Sequence, residues 1–380
     1  MRNIVYPKIH LCIDNCFAIK RWVKPKDWMA FIKAIGGIQY IEASTDNEID
    51  PLFNTREFRY KWIDEVREYE QSLGLKVVSL YSGYATYRTV GLAHWAASSR
   101  NKLIRNYYKP VVDVAQALKA QVGNTLSAFS DPQLSDSSQF YRTEKILLSH
   151  LASMTEYAGI HNVQFSYEQM YTPNQGFWKI EDCLRYMRQV YFTCGIPMYI
   201  TIDTAHQCGQ RLFIKPGSDE IEQMVMQKST GYSRLPEPIR EMIIRGCSTS
   251  DLQSVIDSYP YLFCSPEDTD VYAWFSNLGC YSPIVHLQQT DGTFSAHKPF
   301  TPENNAKGCI EPKRILQAIA KSYEKNDDSG IPKVTDIYLT FELFFSITDD
   351  KTRIYDDLVK SVEYWRDVIP EDGRYLNDLI

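Results

Sequence analysis

The chain has 380 residues, of which 44% are hydrophobic and 23% are charged, and its formal net charge is −6. This composition excludes an intrinsically disordered chain, and 18 Gly and 18 Pro are too few for a collagen-like or low-complexity protein. The mild acidity also argues against a non-specific nucleic-acid binder, because such a protein needs a basic surface.

Short β-rich runs alternate with helix-like stretches along the whole chain. The predicted strands are 8–14, 38–44, 75–81, 123–129, 162–167, 197–203, 283–288 and 334–342, and the predicted helices are 25–35, 55–73, 96–119, 143–157, 179–194, 312–323 and 353–366. Strands that alternate with helices predict a parallel sheet, and eight strands close a (β/α)8 TIM barrel. The alternative, a doubly wound open sheet, usually has a glycine-rich turn after its first strand, and residues 14–17 contain no glycine. We therefore predict an α/β protein with one TIM barrel over residues 1–380.

The connection between the sixth and seventh predicted strands is unusually long. It contains three helical patterns, at 219–227, 236–245 and 250–258. Insertions at the C-terminal ends of barrel strands lie over the mouth of the active site. We predict that residues 207–280 form a helical insertion over the C-terminal face of the barrel, as a lid or an oligomer surface.

The cysteines and the N-terminus bear on where the protein is found. Nine cysteines are scattered without the spacing of a metal site or a disulfide framework, and an odd count in a large chain favours reduced thiols. The N-terminal residues lack an uninterrupted apolar signal-peptide core, and no segment has the roughly 20 apolar residues that span a bilayer. We expect a cytoplasmic protein with neither a membrane nor a nucleic acid as its partner.

Catalytic side chains of a TIM barrel lie at the C-terminal ends of its strands. Acidic or imidazole side chains at or just after the predicted strand ends are Glu42, Glu168, Asp203, His206, His286 and Glu342. Taken singly, each has an ordinary explanation, such as capping of the next helix. Strands five to eight together supply two Glu, one Asp and one His, and a cation would relieve the repulsion in such a cluster. This oxygen-rich set suits Mn²⁺, Co²⁺ or Mg²⁺ better than a thiolate-type zinc site.

The residues around these positions resemble the metal and catalytic stations of the xylose-isomerase-like TIM barrels. The matching segments are Tyr167-Glu168, Ile202-Asp203-Thr204-Ala205-His206, Val285-His286-Leu287 and Phe341-Glu342. The resemblance runs from about residue 8 to residue 366. It is closest to the ketose 3-epimerases of the tagatose or psicose type and to the related sugar-phosphate isomerases.

The resemblance implies a metal-dependent sugar isomerase or epimerase. One divalent ion, Mn²⁺ in first place with Co²⁺ and Mg²⁺ as alternatives, would be held by Glu168, Asp203, His286 and Glu342. Glu168 and Glu342 would also be the acid/base pair on opposite faces of the sugar, while His206 would contact its oxygens and Glu42 would face the substrate or support the site. Proton abstraction next to the carbonyl would give a metal-stabilised cis-enediolate. Return of the proton from the other face inverts C3, and its return to the adjacent carbon interconverts aldose and ketose.

The region after His286 departs from the epimerase pattern. The epimerases usually carry a Glu and then an Arg shortly after this His, but residues 287–298 contain no Arg. We therefore expect substrate recognition to differ from that of the epimerases, with Gln288 as a substrate contact in this region. His297-Lys298 is either a phosphate site or an exposed loop pair. Side chains after the third strand either wall a sugar pocket or pack as ordinary core: Tyr81, Tyr84, Tyr87 and Arg88.

The sequence leaves several alternatives open. The substrate is expected to be a small sugar or sugar phosphate, and C3 epimerisation and aldose–ketose isomerisation are not distinguished. A lyase on the same scaffold, either a keto-polyol dehydratase or an oxidised C-glycoside deglycosidase, would share the proton abstraction. A catalytically silent barrel subunit is the non-enzyme alternative. Barrels of this kind commonly associate, so a homodimer or homotetramer is expected.

Overall fold

Eight parallel strands close into a barrel in the computed structural model, which describes residues 4–83, 91–124, 129–230, 235–325 and 329–380. The strands are β1 (Lys8–Asp14), β2 (Tyr40–Ser44), β3 (Lys76–Ser82), β4 (Gln121–Asn124), β5 (Phe165–Glu168), β6 (Met198–Asp203), β7 (Ile284–Leu287) and β8 (Asp336–Phe341). Each strand pairs with the next in chain order, and β1 pairs with both β2 and β8. The predicted α/β barrel of eight strands is confirmed.

The helices follow the strands as predicted, with short additions. The longer ones are Pro25–Ile35, Arg56–Leu73, Ala97–Leu103, Lys109–Leu118, Ser137–Ile160, Ile180–Cys194, Pro312–Glu324 and Lys351–Arg366, and four-residue helices lie at Thr45–Glu48, Asp131–Leu134 and Pro302–Asn305. The helix predicted at 96–119 is interrupted by a π-helical turn at Ile104–Tyr108. Local chemistry sets the ends: the Thr55 side chain accepts a hydrogen bond from the Phe58 amide, and Gly74 ends that helix with a φ of +66°.

Two features of the sheet differ from the predicted strands. The fourth strand begins at Gln121 rather than at residue 123, and residues 125–128 of the predicted strand lie outside the described residues. A short ninth strand, β9 (Arg374–Tyr375), pairs antiparallel with the start of β1. It has only two residues, both exposed, so it carries no alternating pattern that sequence analysis would detect.

The segment between β6 and β7 is helical over much of its length. Its helices are Gln207–Gln210, Ser218–Gln227, Glu237–Arg245, Thr249–Asp257 and Val271–Leu278. The three predicted helical patterns correspond to the second, third and fourth of these, and the first and the last were missed. Buried apolar side chains hold the segment against the rest of the fold, among them Ile221, Ile239 and Trp274. That this segment lies over the C-terminal face of the barrel stays a prediction.

The barrel strands whose ends carry the candidate site residues are almost completely buried. All residues of β1 after Lys8 are buried, and so are all residues of β5, β6 and β7. Strands buried on both faces are held by packing on the barrel interior and on the helices outside, which makes their C-terminal ends rigid. Within the described residues, no helix combines the length and the apolar composition needed to cross a membrane.

Candidate metal and active site

Four side chains from consecutive strands converge at the C-terminal end of the barrel. Glu168 and Asp203 are the last residues of β5 and β6, His286 lies within β7, and Glu342 directly follows β8. One ligand atom of each lies within 4.8 Å of the others, and all four residues are buried. The parallel register explains part of this convergence, because Asp203 pairs with His286 across β6 and β7. The structure therefore brings together the four residues that the sequence analysis singled out as metal ligands.

The imidazole of His286 is held between carboxylates on both sides. Its Nε2 lies 2.7 Å from Oε1 of Glu42, and its Nδ1 lies 2.8 Å from Oε1 of Glu168 and 3.3 Å from Oε2 of Glu342. Burial lowers the pKa of His286, but the charges of Glu342 and Glu42 raise it more, so the pKa lies well above its ordinary value. Glu42 thus keeps a proton on Nε2 and turns Nδ1 toward the cluster, as carboxylates behind metal-binding histidines do.

Asp203 is fixed by donors from the turn after β6 and from the next strand. Its Oδ1 accepts hydrogen bonds from the amides of Ala205 and His206, at 2.6 and 3.0 Å. The side-chain amide of Gln288 donates to both oxygens of Asp203, at 2.9 and 2.8 Å. These donors set the direction of the carboxylate.

Glu168 is oriented by the hydroxyl of Tyr81, which donates to its Oε2. The Tyr81 ring also packs edge-on against the His286 ring, with 4.7 Å between centroids. Burial raises the pKa of Glu168, but the charge of His206 and the hydrogen bond from His286 lower it more, so the pKa is lowered overall. Of the two alternatives predicted for Tyr81, the pocket position agrees with its place in the lining of the cavity described below, and its hydroxyl leaves Oε1 of Glu168 facing His286.

Glu342 lies beside a second histidine, His297. Nδ1 of His297 is 3.1 Å from the Glu342 carbonyl oxygen and 3.3 Å from Oε2 of its carboxylate. Burial raises the pKa of Glu342, but His286 and His297 lower it well below its ordinary value. Burial lowers the pKa of His297, and the charge of Glu342 raises it more, to about 9. His297 has a φ of +48°, and its ring stacks on Phe344 with centroids 3.9 Å apart.

His206 presents its outer ring nitrogen to the site. Its Nδ1 lies 2.7 Å from the carbonyl oxygen of Gln169, so Nδ1 carries the proton that the carbonyl accepts. Its Nε2 lies 4.0 Å from Oδ2 of Asp203. His206 lines the cavity, and its contact with substrate oxygens stays a prediction.

The donor set fits a divalent ion. It offers three carboxylates and one imidazole nitrogen within one buried cluster, which is an arrangement typical of Mn²⁺, Co²⁺ and Mg²⁺ sites. Oε2 of Glu342 is buried without a well-aligned hydrogen bond among the described residues. Buried carboxylates without full hydrogen bonding are costly unless a positive charge compensates them. Glu168, Asp203, His286 and Glu342 would hold the ion, and Glu42 and Gln288 would orient two of them.

A cavity of about 460 Å³ opens from these residues to the surface. Glu168, Glu342, His206 and His297 line its base, and the other lining residues are Asp14, Cys16, Ile19, Ser44, Asp46, Asn47, Tyr81, Gly83, Met170, Tyr171, Phe344 and Phe345. Asp14 is a site residue that the sequence analysis missed, although it is the last residue of the predicted first strand and the same strand-end rule would have found it. Burial and the charges of Glu42 and Glu342 raise the pKa of Asp14 well above its ordinary value.

Three predicted substrate contacts lie elsewhere or stay untested. Glu42 and Gln288 are buried behind His286 and Asp203, and neither lines the cavity. Lys298 lies 3.9 Å from Asp291 and over the Phe294 ring, also outside the lining. Their contact with substrate stays a prediction. The pocket residues predicted at Tyr84, Tyr87 and Arg88 lie outside the described residues.

Comparison with curated proteins gives one short match. No protein-family model matches the chain. A stretch of 111 residues is 31% identical to a D-erythrulose 1-phosphate 3-epimerase from Brucella abortus (strain 2308). The aligned stretch covers 29% of this chain and 33% of that relative, so the match spans about a third of each protein.

Comparison with solved structures shows the fold. A candidate xylose isomerase from Rhodospirillum rubrum has a TM-score of 0.68 at 17% identity, over 94% of this chain and 99% of that one. A D-psicose 3-epimerase from Clostridium cellulolyticum H10, solved with D-tagatose, has a TM-score of 0.56 at 10% identity, over 95% of this chain and 99% of that one. The resemblance to the xylose-isomerase-like barrels and the ketose 3-epimerases is thus confirmed for the fold.

Proposed function

We propose that this protein is a divalent-metal-dependent sugar isomerase or epimerase, and that its reaction is the C3 epimerisation of a ketose or ketose phosphate. One observation carries the proposal: two glutamates from well-separated strands, Glu168 on β5 and Glu342 after β8, both approach Nδ1 of His286, at 2.8 and 3.3 Å. Two carboxylates at one metal-binding cluster are what proton removal and proton return at a single carbon require. The short match to a D-erythrulose 1-phosphate 3-epimerase supports the same reaction class.

The chain's own residues have distinct tasks in this reaction. One of the two glutamates removes the C3 proton, and the other, in its protonated form, returns a proton to the opposite face. Tyr81 holds Glu168 and His297 holds Glu342, so each carboxylate keeps its direction while the substrate turns over. A positioned carboxylate of this kind contributes about 10²–10⁴-fold to the rate. The ion, when bound, supplies the positive charge that stabilises the anion formed at the carbonyl.

Hydrogen exchange in heavy water tests the proposal. Purified protein is loaded with Mn²⁺ and incubated with D-erythrulose, its 1-phosphate and D-fructose, and proton NMR follows the C3 hydrogen. We expect deuterium at C3 together with inversion at that carbon for at least one of these ketoses. Exchange with migration of the carbonyl would identify an isomerase, and loss of water would identify a lyase.

Variants assign the exchange to the site. Glu168→Gln and Glu342→Gln keep the shape of each side chain but remove the base, so we expect each to lower the exchange rate at least about a hundredfold. Glu68→Gln on the exposed face of the helix Arg56–Leu73 is the matched control and is expected to retain full activity. Full activity in both site variants would disprove the proposed function.

A further inference from the structure

Each of the two histidines that line the cavity packs against an aromatic ring. The Tyr171 ring packs at 63° to the His206 ring, with 5.1 Å between centroids. The Phe344 ring stacks on the His297 ring at 15°, with 3.9 Å between centroids. The two histidine rings are themselves 6.2 Å apart. Tyr171 and Phe344 are therefore held in fixed orientations close to the catalytic groups.

These aromatic rings belong to the lining of the cavity and remain accessible. Phe344 is 53% exposed and Ile19 is 36% exposed, although both line a concave site. The partly buried Phe345 and the buried Met170 also line the cavity. Apolar side chains that stay exposed in a concave site mark the place where an apolar part of a ligand binds.

The cavity has more space than the reacting carbons of a ketose occupy. The carbonyl and the neighbouring carbon of a ketose must reach Glu168 and Glu342, which are buried with exposures of 3% and 6%. The cavity of about 460 Å³ lies in the range of small-molecule pockets and has room for more than the reacting carbons of a ketose. The space beyond the reacting carbons is flanked by Tyr171 and Phe344.

Besides the residues of the metal cluster, polar side chains of the lining lie at the ends of β1 and β2. Asp14 ends β1, Ser44 ends β2 and Asn47 follows β2, with the Asn47 amide donating to the Ser44 hydroxyl at 2.9 Å. Tyr171 and Phe344 instead follow β5 and β8. The cavity thus offers hydroxyl-binding groups and flat apolar surfaces to different parts of one ligand.

From this arrangement we infer that the substrate is a keto-sugar that carries a second ring, and that Tyr171 and Phe344 bind the flat apolar face of that ring. This inference rests on the proposed function and narrows its substrate class. A glycosyl ring and an aryl ring share the required chemistry, because both present a flat face of carbon and hydrogen to an aromatic side chain. Phe344 and Tyr171 are then specificity-determining residues rather than catalytic ones.

Binding to the Mn²⁺-loaded protein tests the inference with three probes that share one ketose. The probes are D-fructose, isomaltulose (a fructose with a glucosyl ring) and a benzyl ether of fructose, and calorimetry gives each Kd. We expect at least one ring-bearing probe to bind about tenfold more tightly than fructose, because an aromatic contact of this size is worth about one order of magnitude in affinity. The two ring-bearing probes distinguish a glycosyl from an aryl group.

Variants separate ring binding from a structural effect. Phe344→Ala and Tyr171→Ala are expected to remove the tenfold gain, so that the ring-bearing probes bind each variant no more tightly than fructose does, while Phe344→Trp keeps the gain. Phe294→Ala is the matched control, because Phe294 is an exposed aromatic residue outside the lining. Equal Kd values for fructose and both ring-bearing probes would overturn the inference, as would equal losses for all three probes in Phe344→Ala. If fructose shows hydrogen exchange at C3 but the ring-bearing probes bind no more tightly than fructose, the inference fails and the proposed function stands. If no ketose exchanges its C3 hydrogen or binds, both fail.

Discussion

The side-chain amide of Gln288 donates to both carboxylate oxygens of Asp203, at 2.9 and 2.8 Å. The carbonyl oxygen of the same side chain accepts a hydrogen bond from the backbone amide of His297, at 2.6 Å. One fully buried residue therefore ties the carboxylate at the end of β6 to the loop that places His297 beside Glu342. Gln288 is a positioning residue for both halves of the site.

Gln288→Ala is expected to weaken Mn²⁺ binding about 10–100-fold, since residues behind metal ligands contribute about this much to affinity. Asp203 would lose its side-chain donor and turn more freely, and a hydrogen bond to a charged group is worth about 1.5–3 kcal/mol. Calorimetry with Mn²⁺ measures the change, and circular dichroism checks the fold. Gln39→Ala, at an exposed glutamine, is the control. An unchanged Mn²⁺ affinity in Gln288→Ala would contradict the positioning role.

Glu42→Ala is expected to lower Mn²⁺ affinity more than Glu42→Gln does. Oε1 of Glu42 lies 2.7 Å from Nε2 of His286, and a glutamine oxygen still accepts from that nitrogen, whereas alanine leaves it without a partner. We expect about tenfold weaker binding for the glutamine variant and about a hundredfold for the alanine variant. The loss of affinity in Glu42→Gln is the informative result, because a Glu42 that merely fills space would be replaced by the isosteric glutamine with no change in Mn²⁺ affinity.

Much of this site followed from one rule applied to the predicted strands. The ends of strands five to eight gave Glu168, Asp203, His286 and Glu342, because parallel strands in a barrel bring their C-terminal ends together whatever the loops do. The same rule does not distinguish a residue that contacts the substrate from one that orients a metal ligand, because both are polar residues near the end of a buried strand. Glu42 and Gln288 are residues of the second kind, and only their distances to His286 and Asp203 in the structure show this.

Loop residues were harder to predict, because their positions depend on tertiary contacts. The adjacent pair His297-Lys298 was predicted to be either a phosphate site or an exposed loop pair, and the two side chains lie in different surroundings. The left-handed backbone at His297, with a φ of +48°, turns that ring toward Glu342 and Phe344, while Lys298 lies near Asp291. A positive φ is uncommon for any residue but glycine, and no local pattern in the sequence predicts one at His297.

Tyr81→Phe is expected to lower kcat for the proposed reaction about tenfold with little change in KM. The variant removes the hydroxyl that donates to Oε2 of Glu168 but keeps the ring against His286. Loss of a hydrogen bond to a charged group costs about 1.5–3 kcal/mol, part of which the carboxylate recovers by turning. Steady-state kinetics with the ketose that shows exchange is the measurement. Tyr157→Phe, which removes a tyrosine–carboxylate bond to Asp113 outside the site, is the matched control, and an equal effect in both variants would count against a role for Tyr81 in the reaction.

Stability at neutral pH is expected to depend on Glu48, a buried carboxylate beneath the mouth of the barrel. Its oxygens accept hydrogen bonds from the indoles of Trp28 and Trp62, at 3.1 and 3.0 Å, and from the Asn15 amide, at 3.1 Å. Burial raises the pKa of Glu48 to about 7, and the three hydrogen bonds offset only part of that rise. The folded protein therefore retains this proton at pH values where the unfolded chain has already lost it.

The sign of the pH effect follows from this difference in proton binding. Between the ordinary pKa of 4.5 and the folded value of about 7, only the folded state binds the proton, so the free energy of unfolding falls as the pH rises and levels off above about 7. A shift of this size corresponds to about 3 kcal/mol. Glu48→Gln cannot titrate, so we expect its free energy of unfolding, relative to wild type, to increase by about 2–3 kcal/mol between pH 5 and pH 8 in urea titrations. A difference between the two proteins that is the same at both pH values would show that Glu48 is already ionised in the folded state at pH 5.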